Sequence, residues 1–218
     1  MRKITAIEPQ KKNPQRVNVY LDGEFAFGLS CITAAWLGNG QELTDDKIAA
    51  LQAEDAKETA YQKALHFLSF RPRSSQEMRQ NLLKRGCDAS IVDVTLLRLQ
   101  NAGLVDDVSF AKAWVENRNT FRPRSGSVLR MELRRKGLDD EVIQSTLTDA
   151  VDEEKLAYEA ARKQARRYAS LEWPDFRKKL GGFLARRGFS YHILAPVVSE
   201  VWKEVKTADP GSTFENKE

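Results

Sequence analysis

The pentapeptide Phe70-Arg71-Pro72-Arg73-Ser74 occurs a second time, unchanged, as Phe121-Arg122-Pro123-Arg124-Ser125. No other feature limits the possible folds as strongly, because the offset of 51 residues carries much else with it. Arg79 maps to Arg130, Leu82 to Leu133, Gly86 to Gly137, Asp88 to Asp139, Thr95 to Thr146 and Leu96 to Leu147. A second step of 51 keeps the physical pattern. Pro72, Pro123 and Pro174 fall in register, as do Met78, Leu129 and Leu180, then Leu82, Leu133 and Leu184, and the glycines Gly86, Gly137 and Gly188. Val92, Ile143 and Leu194 follow, with Leu96, Leu147 and Val198 behind them. A period of this length marks one supersecondary unit stacked on copies of itself.

Each unit reads as three helices. In the first, Ala60, Ala64, Leu65 and Leu68 form a buried stripe that ends before Pro72, whose ring disfavours helical geometry in the residue preceding it. Ser74 to Glu77 is a capping-box pattern for the second helix, Gly86 a left-handed C-cap, and Asp88 or Ser90 a cap for the third. Within the repeated motif Phe70 and Phe121 are read as core, the prolines as helix boundaries and the serines as caps. The second unit starts at Asp106-Asp107. The third has a longer first helix, from Glu153 to about Tyr168, and a misfit in Pro196, which predicts a last helix that is kinked or starts late. Gly181-Gly182 falls inside a predicted helix and is read as allowing close helix packing.

The first 30 or so residues differ. Val17, Val19, Phe25 and Phe27 alternate with polar or small residues around Asp22-Gly23, a hairpin signal. A three-residue loop at Leu21-Asp22-Gly23 sets Val19 opposite Phe25 and Val17 opposite Phe27, with Ile4, Ala6 and Ile7 in a third strand. From Ser30 to Leu51 the pattern gives short helices, one of them starting at Thr44-Asp45-Asp46.

The expected fold is therefore mainly α, with three tandem three-helix repeats forming an elongated curved body behind a small N-terminal antiparallel β segment. The predicted divisions are 1–52, the sheet with short helices; 53–104, 105–151 and 152–206, the repeats; and 207–218, a disordered tail.

Composition excludes several functions. No apolar run approaches the roughly 18–20 residues that span a bilayer, and the N-terminus lacks the apolar centre of a signal peptide, which predicts a cytoplasmic protein without membrane contact. Cys31 and Cys87 are isolated, and His66 and His192 are scattered, so neither a metal site nor acid–base catalysis is indicated. With no phosphate-cradling loop, paired carboxylates or Ser/His/Asp set, the chain reads as a non-enzyme without cofactor.

The net charge is only +4, but the charges are segregated. Lys84, Arg135 and Arg186 align, as do Arg85, Lys136 and Arg187, so each unit ends its second helix with two cations before its glycine. Complementing the helix dipole explains part of this, at about 0.3 to 1 kcal/mol. Arg71, Arg73, Arg79, Arg122, Arg124, Arg130 and Arg134 add more cations than a dipole asks for. Arg162, Lys163, Arg166 and Arg167 make rows on the first helix of the third unit, with Arg177, Lys178 and Lys179 close behind. The pattern suggests a basic surface for phosphates or an acidic protein face. An ordinary solvated charged face is the alternative.

Three stretches carry a resemblance. Leu68 to Gly86 has Arg-x-Arg-Ser and Leu-x-x-basic-Gly spacing; Gly103-Leu104-Val105-Asp106-Asp107 leads to Phe110-Ala111; and Phe183-Leu184-Ala185-Arg186-Arg187-Gly188-Phe189 closes the set. Over roughly residues 55–202 the chain resembles the RecX family of bacterial regulatory proteins. The resemblance implies three-helix repeats, binding to the recombinase RecA in the groove of its filament on single-stranded DNA, and modulation, mostly inhibition, of strand exchange, ATP hydrolysis and coprotease activity. The chain is further expected to be a monomer with weak direct DNA binding. The candidate contact residues are Arg71, Arg73, Lys84, Arg85, Arg122, Arg124, Arg130, Arg134, Arg135, Lys136, Arg162, Arg166, Arg167, Arg177, Lys178, Arg186 and Arg187. An independent DNA-binding module with helix-turn-helix-like pairs, and a plain helical scaffold, remain as alternative readings.

Overall fold

A computed structural model describes residues 1–150 and 152–208. The chain forms two compact units, residues 1–105 and the residues from 106 onward.

In the first unit, strands β1 (Arg2–Gln10), β2 (Asn13–Leu21) and β3 (Glu24–Ser30) form an antiparallel meander, and β4 (Glu42–Leu43) adds to the other edge in the order β3-β2-β1-β4. The hairpin register differs from the sequence expectation. Leu21 pairs with Glu24 across a two-residue turn in which both Asp22 (φ 54°) and Gly23 (φ 91°) are left-handed. Tyr20 then pairs with Phe25, and a bulge brings Val19 opposite Phe27 and Val17 opposite Leu29. Both central residues at positive φ are what a tight primed turn requires, and Asp-Gly supplies them. The two-residue turn sets Phe25 opposite Tyr20 and out of the apolar face, and the extra residue, Ala26, returns Phe27 and Leu29 to it: Phe25 is exposed and meets Tyr20 edge-on, while Val17, Val19, Leu21, Phe27 and Leu29 are buried with Ile4 and Leu43.

After the short α1 (Cys31–Ala34), helix α2 (Asp45–Leu68) runs unbroken for 24 residues. It contains neither Gly nor Pro and is rich in Ala, Leu, Glu, Gln and Lys, so nothing stops it where two helices were expected. Residue 52, the expected end of the N-terminal segment, lies inside it. Ile48 and Leu51 pack on the sheet; Ala64, Tyr61, Leu65 and Leu68 join the core of repeat 1. Between these halves Asp55 is buried, taking Arg16 Nη2 at 2.7 Å and the Ser30 amide at 2.5 Å, so a charge pair ties the helix to strands β2 and β3.

Repeat 1 is completed by α3 (Ser75–Lys84) and α4 (Ala89–Asn101). The second unit holds repeat 2, with α5 (Asp107–Phe121), α6 (Gly126–Arg135) and α7 (Asp140–Ala150), and repeat 3, with α8 (Glu153–Ala165, followed by a 3-10 turn at 166–168), α9 (Trp173–Ala185) and α10 (Tyr191–Ala208). The predicted punctuation is present: Ser74 and Ser125 cap α3 and α6, and Gly86, Gly137 and Gly188 all have positive φ. Met78, Leu82, Leu129, Leu133, Leu180 and Leu184 are fully buried. Helix α10 begins five residues before Pro196 and includes it, so it does not start late. Of the tail expected from residue 207, Thr207 and Ala208 are helical and the rest lies outside the described residues.

One core assignment is overturned. Phe70 and Phe121 are 69% and 73% exposed. Helices α2 and α5 end at these turns, and the cores close earlier, on Ala64, Leu65 and Leu68 in repeat 1 and on Trp114 and Val115 in repeat 2. At Gly181 an added Cβ reaches only ordinary contact with Leu194, 3.9 Å away, so tight packing does not demand that glycine.

Candidate binding surface

The predicted cations divide into those bound within the fold and those left to solvent. In both copies of the pentapeptide the second arginine is turned toward its own repeat. The Arg73 guanidinium lies 3.9 Å over the Phe67 ring, and burial lowers its pKa. Arg124 instead faces Glu132 at 3.4 Å, and the same carboxylate accepts hydrogen bonds from Arg118 Nε and Trp114 Nε1, both at 2.8 Å. Burial alone raises the Glu132 carboxyl pKa, but the hydrogen bonds from Arg118 and Trp114 and the charges of Arg118 and Arg124 outweigh it and hold the carboxyl below its ordinary range. This network was missed by sequence reasoning. Its signal is an exchange across the 51-residue offset: Phe67 becomes Arg118 while Asn81 becomes Glu132.

Arg71 makes a two-pronged pair with Glu77, at 2.9 and 3.2 Å. Position 128 is Val, so Arg122 has no such carboxylate; it is exposed with no side-chain partner among the described residues. Arg79 and Arg130 span equivalent gaps, to Asp93 at 2.5 Å and to Gln144 at 2.6 Å. Arg134 holds Asp140 with two hydrogen bonds, and Asp140 raises its pKa. These arginines brace α3 on α4 and α6 on α7.

Arg187 belongs to the joint between repeats 2 and 3. Its Nη1 donates to the Pro123 carbonyl at 3.1 Å, its own carbonyl accepts from the Ser125 amide at 3.1 Å, and its guanidinium lies 4.3 Å over Phe183. Burial, then the charges of Arg124 and Arg122, lowers its pKa. Gly188 sits directly beneath Ser125 and Val128, and Glu153 Oε1 accepts from the Gly126 amide at 2.7 Å. Lys136 lies over Trp114.

What remains is a smaller set. Lys84, Arg135 and Arg186, in register at the ends of the three second helices, are all exposed and lack a side-chain partner among the described residues. Arg85 is exposed beside Lys84. At the end of α8 and in the 3-10 turn after it, Arg162, Lys163 and Arg166 line a shallow cleft with Glu159, with Arg162 only 3.6 Å from Glu204, and Arg167 follows. Lys178 is exposed on α9, and Arg177 donates to the Tyr191 hydroxyl at 3.1 Å across a groove floored by Gly181 and Gly182. Among the described residues no His, Cys, Asp and Glu cluster suits a metal, and no helix is long and apolar enough to cross a membrane.

Comparison with known proteins covers both units. Residues 2–44 match the model of the regulatory protein RecX N-terminal domain, and 60–99, 106–147 and 152–195 match the first, second and third RecX three-helix domains. The regulatory protein RecX of Bacillus pumilus is 31% identical over 91% of this chain and 77% of its own length. That of Leuconostoc mesenteroides is 32% identical over 94% and 78%. A crystal structure of regulatory protein RecX superposes with a TM-score of 0.67 at 29% identity, covering 95% of this chain and all of the other. RecX from Lactobacillus salivarius, at 23% identity, a TM-score of 0.60 and 68% of this chain, shares the fold.

Proposed function

Because this chain belongs to the RecX family of regulatory proteins, we propose that it binds the recombinase RecA and its filament on single-stranded DNA. There it restrains recombinase, ATPase and coprotease activity, by lying in the filament groove or capping its end. The reading includes action in the cytoplasm as a monomer with weak affinity for bare DNA. The observation that carries it is the in-register set Lys84, Arg135 and Arg186, three exposed cations with no side-chain partner among the described residues. A filament is a polyanionic, repeating ligand, and a repeated free cation matches it.

The experiment is co-sedimentation with recombinase, with and without single-stranded DNA, for the wild type and a Lys84→Glu, Arg135→Glu, Arg186→Glu variant. The expected outcome is retention with filaments by the wild type, loss in the variant, and a thermal midpoint lowered only by the lost helix-dipole complement, about 0.3 to 1 kcal/mol per site, with the fold intact. Equal retention of the variant removes the cation assignment. Tight binding to bare DNA with a steep salt dependence, and none to recombinase, makes the chain an independent DNA-binding module. Arg130 and Arg134 are unsuited to this test because reversing them breaks the braces to α7.

A further inference from the structure

Phe70 and Phe121 occupy equivalent turns, 51 residues apart in the sequence, and both present most of their surface to solvent. Single exposed apolar side chains need no explanation. A phenylalanine that recurs at the same exposed position in two repeats is different, because packing does not account for it in either one. The third unit marks the contrast. It has Glu172 at this position and retains the buried leucines of its second helix, so a repeat folds without the phenylalanine.

The geometry points to Phe70 and Phe121 as paired hydrophobic anchors for a protein partner that offers the same apolar socket more than once, as successive subunits of a recombinase filament do; the inference rests on the function proposed above. Two features favour protein over nucleic acid as the contact. Phe70 packs edge-on against His66, ring centres 5.1 Å apart, and its neighbouring cation, Arg71, is already neutralised by Glu77. A base-stacking aromatic sits in a positive groove that follows the phosphates, whereas this one sits beside a closed ion pair. Meanwhile the inward turn of Arg73 and Arg124 leaves Phe-Arg, rather than the whole basic motif, as the outward face of each turn. An aromatic residue with an arginine beside it is the usual composition of a protein–protein hot spot; both turns call for an apolar pocket, and at Phe121, where Arg122 has no side-chain partner among the described residues, a carboxylate at its rim. Two weak anchors on one chain gain affinity together when the partner's sockets repeat.

The test uses the full chain as wild type, Phe70→Ala, Phe121→Ala and the double variant, with Phe→Leu at both positions as a conservative control. Each is measured for retention on recombinase filaments, affinity for bare single-stranded DNA, mass in solution and thermal midpoint. Each alanine is expected to weaken filament binding about ten-fold and the pair about a hundred-fold, with leucine restoring most of it. Bare-DNA affinity, mass and thermal midpoint are expected to stay unchanged, since the side chains lie outside both cores. Filament binding by the double variant equal to wild type overturns the proposal. So does a parallel loss on bare DNA, which makes the rings base-stacking platforms, or a fall in solution mass, which makes them a contact between copies of this chain. If the wild type itself ignores filaments, the proposed function fails first and the anchors with it.

Discussion

Repeats 1 and 2 open their second helices with the same five residues, yet each holds the second arginine of the five by a different chemistry. In repeat 1, Arg73 rests on the face of Phe67; in repeat 2, Arg124 shares Glu132 with Arg118 and Trp114. The cation is kept and its socket is rebuilt. Two positions changed together, Phe67 to Arg118 and Asn81 to Glu132, and either change alone leaves a cation or a carboxylate short of its partner. An identical motif therefore guarantees the backbone turn and the inward arginine, but not the interaction that fixes it.

The glycines that end the second helices give the largest expected contrast. Gly86 (φ +78°) has nothing within 4 Å of an added Cβ, so Gly86→Ala costs only the left-handed conformation, about 1–2 kcal/mol. At Gly188 (φ +89°) the same Cβ falls 2.5 Å from Ser125 Oγ and onto Val128, so Gly188→Ala is expected to cost about 3 kcal/mol or more and loosen repeat 3 from repeat 2. Denaturant midpoints of the two variants test this; equal losses remove Gly188 from the joint.

Glu132→Gln is next, at about 2 kcal/mol, because two guanidiniums lose a charged acceptor in a site where the carboxylate side chain is only 19% exposed. At the equivalent position of repeat 1 the Asn81 side-chain oxygen has no hydrogen-bond partner among the described residues, so Asn81→Ala is expected to cost much less. The Glu132 difference also depends on pH. Its folded pKa lies below the unfolded value, so the stabilisation is complete above about pH 4.3 and is lost as pH falls through the folded pKa. Wild type and Glu132→Gln should converge in acid, measured by urea unfolding at pH 7 and pH 3.

The buried threonines sharpen the comparison further. Thr95 and Thr146 are in register, and each leaves its hydroxyl oxygen without a hydrogen-bond partner; the third repeat has buried Val197 there. Thr95→Val and Thr146→Val are each expected to raise stability by about 1 kcal/mol, read as a higher thermal midpoint. Phe67→Leu closes the series at about 0.5–1 kcal/mol, by removing the ring under Arg73.

Periodicity made the repeats legible: a 51-residue offset exposes the core leucines, serine caps and glycine stops without reference to tertiary contacts. The misread places are those where a distant residue decides. Phe70 and Phe121 have the hydrophobicity of core residues, but only the point at which each helix leaves its core shows that they lie beyond it. The hairpin register turned on a two-residue turn and one bulge residue, Ala26, which no local preference singles out. Charge counting on the second helices overcounted the cations left without a partner. Whether an arginine is free depends on a carboxylate that arrives from elsewhere, as with Arg71 and Glu77 against Arg122 and Val128.

Helix α2 has a consequence for how the chain is made. Its first half covers the sheet and its second half builds repeat 1, with Asp55 joining strands from between them. During synthesis the strands therefore emerge well before the helix that seals them, and residues 1–44 must wait for residues 45–55 before their apolar face is shut and Arg16 is paired. The sheet and the first repeat then close as one cooperative foldon. A chain stalled on the ribosome before Asp55 clears the exit tunnel would offer the strands to chaperones, and one that has passed Asn101 would not.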